Sequence, residues 1–266
     1  MSATEASGND SSGSPSTYNL AFVIADGSSC TPSWDGEKAL SDSAVKTRIS
    51  QLKQDDATVR VSFGGASGKE LAATCGSVTK LAAVYGRALD AAGSQQADFD
   101  IEGDELTDSG SVARRSAAIA LLQKQRSDLE VTFTLPVMPS GLDSDGLALL
   151  ESANRYDVQV GMVNLMTMNY GESYTGDLGD YALTSAKAAH DQARPVGDGV
   201  RAVRGGGLAG NGVDLDDRGE RRGGGDVLLV RCRAGAGVRG GEGGGLGFDV
   251  VDVPGRAVCG RRLGER

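Results

Sequence analysis

Five short apolar runs recur through the first 192 residues, and a stretch with the periodicity of an amphipathic helix follows each run. The runs are centred near residues 22, 61, 100, 133 and 166, so one strand and its helix occupy 33 to 39 residues. Strands that alternate with helices imply a parallel sheet, and this spacing suits a (β/α)8 barrel. A doubly wound sheet is the alternative, but no Gly-rich phosphate loop follows the first strand.

The predicted strands cover residues 18–25, 58–65, 97–105, 130–136 and 163–168. The first helix is expected to contain Val45 and Ile49 and to begin at Ser41 or Ser43, and Ser77 is expected to cap the second. Three further helices are expected at residues 111–126, around residues 147–150, and at residues 180–192. Every strand is therefore followed by a helix, as a barrel requires.

The third strand carries a row of carboxylates. Side chains alternate between the two faces of a strand, so Asp98, Asp100 and Glu102 share one face, opposite Phe99 and Ile101. Burial and like charges both raise the pKa of a carboxyl group, at a cost in stability that suggests a use. A proton donor held neutral near pH 7 beside an ionised carboxylate fits this pattern. A solvated strand end or a calcium-binding loop is the alternative at this point.

Distinctive residues stand where the strands end. Gly64-Gly65, Glu102, Met138 and Tyr170 all lie at the carboxyl ends of their predicted strands. Active sites of (β/α)8 barrels lie at this edge of the sheet. The glycine pair also has a purely structural explanation, since it would let a helix approach the sheet, and Tyr170 could serve only in packing.

Charge and composition exclude several classes of function. The net charge is −9, which argues against nucleic acid or an anionic membrane as a partner. No apolar run is long enough to span a bilayer. His190 is the sole histidine and is expected to be exposed, so neither a Ser-His-Asp triad nor a His-rich metal site is available. We expect no metal and no cofactor.

Composition divides the chain into three segments. Residues 1–17 are rich in Ser, Gly, Thr and acidic residues and lack the basic start and apolar stretch of a secretion signal, so a disordered polar leader is expected. Residues 18–192 hold all five strands. Residues 193–266 contain 22 of the 40 glycines, and their 13 basic residues are all arginine. This last segment contains no Ser, Thr, Lys, Ile, Met, Tyr or Trp.

The segment at residues 193–266 has two explanations. One is a disordered Gly/Arg-rich tail, although such tails normally carry Ser, Tyr or Gln. The hypothesis that we favour is a GC-rich coding region translated in the wrong frame. Cys232 and Cys259 lie in this segment and carry no weight in the argument.

Three motifs in order resemble glycoside hydrolase family 18, the chitinase fold. Ser62-Phe63-Gly64-Gly65 resembles the family's S-x-G-G, and Asp98-Phe99-Asp100-Ile101-Glu102 resembles the end of its D-x-x-D-x-D-x-E. Met168-Asn169-Tyr170 resembles the M-x-Y of the sixth strand. The resemblance covers residues 18–192, is closest to bacterial secreted chitinase-like domains, and implies a TIM barrel of which about five βα units are recognisable.

The resemblance implies substrate-assisted retaining hydrolysis of β-1,4-linked N-acetylglucosamine polymers. Glu102 would protonate the glycosidic oxygen while the substrate's own acetamide attacks the anomeric carbon. Asp100 would orient the acetamide, Asp98 would share a proton with Asp100, and Tyr170 would donate to the acetamide oxygen. Residues implied to contact substrate are Ser62, Gly65, Met138 and Met168. Chitin or a chito-oligosaccharide would be the partner of a monomer, and the family is expected to be extracellular.

The chain departs from the family pattern at several positions. Gln95 stands where the family's first Asp would be, and Gly171 stands where many members have Asp after the Tyr. The family's first strand would precede Tyr18, and its last two would follow Gln192. The eighth strand normally brings a Trp beneath the sugar, whereas the only Trp in this chain is Trp34. An incomplete barrel is therefore expected.

Alternatives remain for the function and for the cysteines. A chitinase-like lectin that binds without cutting is the second function class, but such lectins usually lose the acid, and Glu102 is present. An N-glycan hydrolase would share the same acid machinery. Cys30 and Cys75 follow neighbouring strands and could form a disulfide, or remain free thiols. The acidic residues after Glu102, among them Glu105, are expected in a solvated loop.

Overall fold

A mostly parallel sheet of eight strands forms the centre of the molecule. The computed structural model describes residues 17–198 and three short strands at residues 214–215, 221–222 and 227–231. The expected leader at residues 1–16, and most of the segment from 199 to 266, lie outside the described residues. The expectations for these two segments, including the wrong-frame hypothesis, therefore remain predictions.

The strands are β1 (Thr17–Ala25), β2 (Pro32–Trp34), β3 (Lys38–Ala39), β4 (Thr58–Gly64), β5 (Gln96–Asp100), β6 (Glu130–Pro136), β7 (Met162–Met166), β8 (Asp214–Leu215), β9 (Arg221–Arg222) and β10 (Val227–Arg231). The helices are α1 (Ser43–Gln54), α2 (Leu71–Thr74), α3 (Val78–Ala92), α4 (Asp104–Thr107), α5 (Ser109–Gln125), α6 (Ser144–Arg155) and α7 (Leu178–Asp198). The five predicted strands are all present, and β6 has the predicted limits. The structure adds the β2–β3 hairpin and the two short helices α2 and α4.

The order of strands identifies the type of sheet. It runs β10-β7-β6-β5-β4-β1-β2-β3, and β1, β4, β5, β6, β7 and β10 are parallel to one another. A doubly wound sheet would reverse its order at a switch point, whereas these parallel strands follow chain order throughout. The topology is therefore that of a TIM barrel. Among the described strands the sheet is not closed, since β10 and β3 form its two edges.

The helices cover one face of the sheet. Helices α1, α3, α5, α6 and α7 pack side by side in chain order. Ser77 caps α3 by accepting a hydrogen bond from the amide of Lys80, as the sequence predicts. The prediction for α1 is wrong in detail, because Asp42 rather than Ser41 or Ser43 accepts the free amides of its first turn.

An aromatic row fills the space between sheet and helices. Phe63, Phe99 and Phe133 occupy equivalent positions on β4, β5 and β6, and all three are fully buried. Phe99 stacks on Phe63 with ring centroids 5.2 Å apart, and the edge of Tyr85 from α3 approaches Phe99 at 5.1 Å. The opposite, inward face of the same strands is thus left for the polar residues.

The glycine pair lets β4 and β5 meet closely where they end. Gly64 and Gly65 have φ values of +98° and +95°, a region that favours glycine. The amide of Gly65 donates to the backbone oxygen of Asp100 at 2.8 Å, and a Cβ on Gly64 would collide with that same oxygen. A Cβ on Gly65 would lie 2.8 Å from the ring of Phe22. The pair is therefore required by the close approach of two strands rather than by a helix.

Cys30 and Cys75 form a disulfide, with their Cα atoms 4.7 Å apart. Cys75 directly follows α2 and is fully buried, while Cys30 lies in the loop between β1 and β2. The bond therefore fastens α2 to the edge of the sheet. Across the residues that the structure describes, no helix is both long enough and apolar enough to cross a membrane.

Candidate active site

The inward face of the central strands carries a continuous row of polar side chains. The strand register places Ser62 on β4 beside Asp98 on β5, and one step further it places Asp100 beside Thr134 and Thr134 beside Asn164. Asp98 is 1% exposed and Asp100 is 5% exposed. Regular alternation along four parallel strands, β4 to β7, therefore assembles a polar layer under the carboxyl edge of the sheet.

Asp98 accepts hydrogen bonds from three side chains around this layer. Its Oδ2 accepts a hydrogen bond of 2.6 Å from the hydroxyl of Ser62, and its Oδ1 accepts one of 2.7 Å from the hydroxyl of Thr134. The side-chain amide of Asn19 also donates to Oδ2, at 3.4 Å. Hydrogen bonds donated to a carboxylate favour its ionised form. The layer therefore fits an Asp98 that keeps its negative charge despite its burial.

A buried cation lies below Asp98. Arg60 is 8% exposed, and its Nη1 donates to the Oδ1 of Asn19 at 3.4 Å. Burial lowers the pKa of Arg60, and the negative charges of Asp98 and Glu130 act in the opposite direction. Arg60 thus places a positive charge near Asp98, and the side chain of Asn19 links the two residues by hydrogen bonds.

Glu102 lies two residues beyond the end of β5, at the carboxyl edge of the sheet. It is half-buried, and this burial raises the pKa of its carboxyl group above the ordinary value for glutamate. A raised pKa keeps more of the carboxyl protonated near neutral pH, as a general acid requires. Asp98 and Asp100 alternate on β5, and Glu102 follows just beyond its end. The predicted strand at residues 97–105 is therefore too long, because β5 ends at Asp100 and α4 begins at Asp104.

Tyr170 lies at the same edge, four residues after β7. It is buried, its hydroxyl accepts a hydrogen bond of 3.1 Å from Ser185 on α7, and its ring packs against Tyr174 and Tyr181. These contacts fix the ring between the end of β7 and α7. The predicted contact of its hydroxyl with a substrate acetamide remains a prediction.

The four residues implied to contact substrate occupy different surroundings. Ser62 is buried and bonded to Asp98, so its described contact is with the carboxylate. Gly65 is half-buried beneath the ring of Phe22, and Met138 and Met168 are half-buried just beyond β6 and β7. Met138 also forms a backbone bridge with Gly141. All four lie along the inner face or the carboxyl edge, and their contact with a sugar remains a prediction.

A second set of charged residues, which the sequence analysis missed, lies behind this edge. Glu70 and Arg115 are 2% and 1% exposed and form an ion pair of 2.9 Å. Tyr85 donates its hydroxyl to Glu70 at 2.5 Å. The backbone amide of Glu70 donates to Oε1 of Glu105 at 3.3 Å. Glu105 is half-buried in α4, so the expectation of a solvated loop is wrong for this residue.

Sequence signals exist for some of the missed residues. Arg60 alternates with the predicted site residue Ser62 on one strand, and Thr132 alternates with Thr134 on another. The polar faces that contain Arg60 and Thr134 were therefore visible in the sequence. Glu70, Tyr85 and Arg115 offer no such pattern, because they lie up to 45 residues apart and meet only through helix packing. Among the described residues, no group of three or more His, Cys, Asp and Glu side chains could hold a metal ion.

The sheet order and the acidic site define a TIM-barrel-type domain with a candidate proton donor at its carboxyl edge. No family model matches the chain. The chain is 34% identical over 161 residues to a probable bifunctional chitinase/lysozyme of Escherichia coli (strain K12), covering 59% of this chain and 18% of the relative. It is 31% identical over 160 residues to endochitinase 11 of Metarhizium anisopliae, covering 59% of this chain and 30% of that protein.

A solved structure shares this fold at a lower sequence identity. It contains catalytic site mutants of active domain 2 of the thermostable chitinase from Pyrococcus furiosus, complexed with chito-oligosaccharides. The TM-score is 0.61 at 26% identity, over 69% of this chain and 58% of that chain. The matched part of this chain thus spans less than a third of the length of either curated relative, and a little over half of the length of the solved domain. Its described residues form a TIM-barrel-type domain that is similar, over part of its length, to these chitinases.

Proposed function

We propose that this domain hydrolyses β-1,4-linked N-acetylglucosamine polymers, with Glu102 as the general acid and base. The observation that carries the proposal is the position of Glu102 at the carboxyl edge of the sheet, half-buried and with a raised pKa. A carboxyl in this state can donate a proton to a glycosidic oxygen and later take one from water. The similarity to chitinases supplies the class of substrate.

In the proposed mechanism the substrate provides its own nucleophile. Family 18 enzymes are an exception among retaining glycosidases, since the acetamide of the substrate takes the part of the second carboxylate. The acetamide oxygen attacks the anomeric carbon as Glu102 protonates the departing oxygen, which gives an oxazolinium ion. Water then opens this ion with Glu102 as base, and the product keeps the β configuration.

The buried layer gives Asp98 and Asp100 different parts in this proposal. Asp98 is held by Ser62 and Thr134, which favours its ionised form. Two neighbouring carboxyl groups titrate as a pair, so a fixed charge on Asp98 favours a proton on Asp100. A protonated Asp100 can pass its proton to the carboxylate of Asp98, and the Asp100 carboxylate then accepts a hydrogen bond from the acetamide N–H as positive charge develops there. Tyr170 would orient the acetamide oxygen from the side of β7.

Hydrolysis of a chito-oligosaccharide by the purified full chain tests the proposal. We expect the wild-type chain to release shorter oligosaccharides and Glu102→Gln to lose nearly all activity, because the amide cannot transfer a proton. Glu172→Gln is the matched control, since Glu172 is an exposed glutamate beyond β7. Binding of oligosaccharide without hydrolysis by the wild-type chain would overturn the enzyme proposal and favour a chitin-binding protein.

A further inference from the structure

The buried pair of Glu70 and Arg115 stands at a junction of four helices. Glu70 is the residue before α2, and its Oε2 caps that helix by accepting from the amide of Ala72 at 2.8 Å. Arg115 reaches the same oxygen from α5 through Nε and Nη2, at 3.1 and 2.9 Å. Tyr85 donates to the other oxygen from α3. Each charge is thus matched by a partner of opposite charge or by hydrogen-bond donors, as burial demands.

Glu70 and the surrounding buried residues determine the protonation states of Arg115 and Tyr85. Burial acts to lower the pKa of Arg115, but the charge of Glu70, together with Tyr85, Glu105 and the hydrogen bond to Glu70, outweighs it and raises the pKa above the ordinary value. Burial and the charge of Glu70 together raise the pKa of Tyr85 well above its ordinary value. Arg115 therefore stays charged and Tyr85 stays a hydrogen-bond donor across the pH range of biological interest.

Two contacts join this pair to α4, the short helix that follows Glu102. The side chain of Glu105 accepts from the backbone amide of Glu70 at 3.3 Å, and the backbone oxygen of Glu105 lies 3.5 Å from Nη2 of Arg115. Only Gly103 and Asp104 separate Glu102 from Glu105, and Gly103 has a positive φ of 56°. The turn that carries Glu102 is consequently held at one end by β5 and at the other by the Glu70–Arg115 pair.

We infer that Glu105 is a positioning residue for Glu102, acting through its hydrogen bond to Glu70 and the Glu70–Arg115 pair. The inference rests on the proposed function only for the role of Glu102, because the geometry of the turn stands by itself. By fastening α4 against α2 and α5, Glu105 keeps the turn folded over the end of the sheet and Glu102 half-buried. Release of α4 exposes Glu102 to water.

The positioning role of Glu105 can be distinguished from a direct electrostatic effect of its charge on Glu102. Burial raises the pKa of Glu105, as do the charges of Glu70 and Asp108, while Arg115 lowers it. The raised pKa of Glu102 has burial as its cause. Loss of the negative charge at Glu105 should therefore leave the pKa of Glu102 unchanged. Loss of the hydrogen bond between Glu105 and Glu70 should instead move Glu102 toward the solvent and lower its pKa.

Two substitutions at Glu105 distinguish these possibilities. Glu105→Gln removes the charge but keeps an oxygen that can accept from the amide of Glu70, whereas Glu105→Ala removes both. The probe is the carboxyl carbon of Glu102 in the full chain with ¹³C-labelled glutamate, titrated by NMR and assigned by its absence from Glu102→Gln. Arg126→Met is the control, because Arg126 makes an exposed ion pair with Asp90 between the same helices α5 and α3.

We expect Glu105→Ala to lower the titration midpoint of Glu102 toward that of an exposed glutamate. Glu105→Gln and Arg126→Met should leave the midpoint at its wild-type value. An equal shift in the Gln and Ala variants would assign the effect to charge and overturn the inference. An unchanged midpoint in the Ala variant would overturn it as well.

Turnover supplies a separate readout. In an active chain Glu105→Ala should lower kcat by up to about 100-fold with little change in KM, as expected when a catalytic group is misplaced by about an ångström. Glu105→Gln should recover most of that loss. A wild-type chain that hydrolyses nothing, but shows the expected titration pattern, would refute the proposed function and leave the positioning role of Glu105 intact.

Discussion

The hydroxyl of Ser62 donates a hydrogen bond of 2.6 Å to Oδ2 of Asp98, and both side chains are 1% exposed. The bond crosses from β4 to β5 at one level of the sheet, where the two residues are partners in the strand register. Ser62 therefore supplies one of the hydrogen bonds that favour the ionised form of Asp98, a buried residue directly below those proposed to handle the substrate. The contact with Asp98 gives the serine of the S-x-G-G motif a role within the fold.

Ser62→Ala should destabilise the fold. Removal of the hydroxyl leaves Asp98 buried with one donor fewer, which costs about 1–3 kcal/mol. Urea unfolding of the full chain at neutral pH measures this loss, and Ser127→Ala on the exposed surface is the control. A loss no greater than that of the control would show that the Ser62–Asp98 bond contributes nothing.

Glu102→Gln should stabilise the folded chain at neutral pH. Burial raises the pKa of Glu102 in the fold above its value in the unfolded chain, so the fold favours the protonated form. This stabilising contribution is fully present below the unfolded-state pKa and is lost as pH rises through the folded-state pKa. Glutamine does not ionise, so the variant should match the wild type at low pH and exceed it at neutral pH.

Thermal unfolding at about pH 3.5 and about pH 7.5, on either side of the ordinary glutamate pKa, checks this prediction. Glu37→Gln is the control, because Glu37 is exposed. A melting temperature of Glu102→Gln that follows the wild type at both pH values would mean that Glu102 is not desolvated in the folded chain.

Breaking the buried Glu70–Arg115 pair should be far more costly than breaking an exposed one. Arg115→Met leaves Glu70 buried without its cation, which costs about 3–5 kcal/mol. Arg126→Met removes the exposed pair with Asp90, which is worth about 0–1 kcal/mol. Denaturant unfolding of both variants gives the difference, and similar losses would contradict the burial of the Glu70–Arg115 pair.

Gly64→Ala should destabilise the fold by more than its backbone conformation alone explains. Gly64 and Gly171 have nearly the same φ, +98° and +97°, but a Cβ at residue 64 would strike the oxygen of Asp100 while residue 171 has open space. The Gly171→Ala variant thus measures backbone strain alone. We expect Gly64→Ala to lose about 1–3 kcal/mol more, the cost of overpacking. Equal losses would show that β4 and β5 can separate freely.

The sequence predicted the strands and the carboxylates because both follow from local patterns. Alternation along β5 places Asp98 and Asp100 on one face, with Glu102 just beyond the end of the strand, and the apolar runs locate every long parallel strand up to β7. The same reasoning could not predict that Asn19 and Thr134 contact Asp98, since these contacts depend on how distant strands align. The strand register is a property of the whole sheet and is invisible in any one segment.

Helix packing explains the other omissions. Glu70 and Glu105 look like ordinary surface acids in the sequence, since each directly follows another charged residue, Lys69 or Asp104. Their burial arises because α2 and α4 fold back onto α5, where Arg115 supplies the opposite charge. Asp42 was missed as the cap of α1 because Ser41 and Ser43 on either side are equally good candidates.

The configuration of the first product formed tests the central proposal most directly. The full chain would be incubated with a chito-oligosaccharide, and the new reducing end would be followed by ¹H NMR before mutarotation. Substrate-assisted catalysis with Glu102 as the acid predicts that the β anomer appears first and that Glu102→Gln yields no product. Initial release of the α anomer, or equal product from Glu102→Gln, would contradict the mechanism.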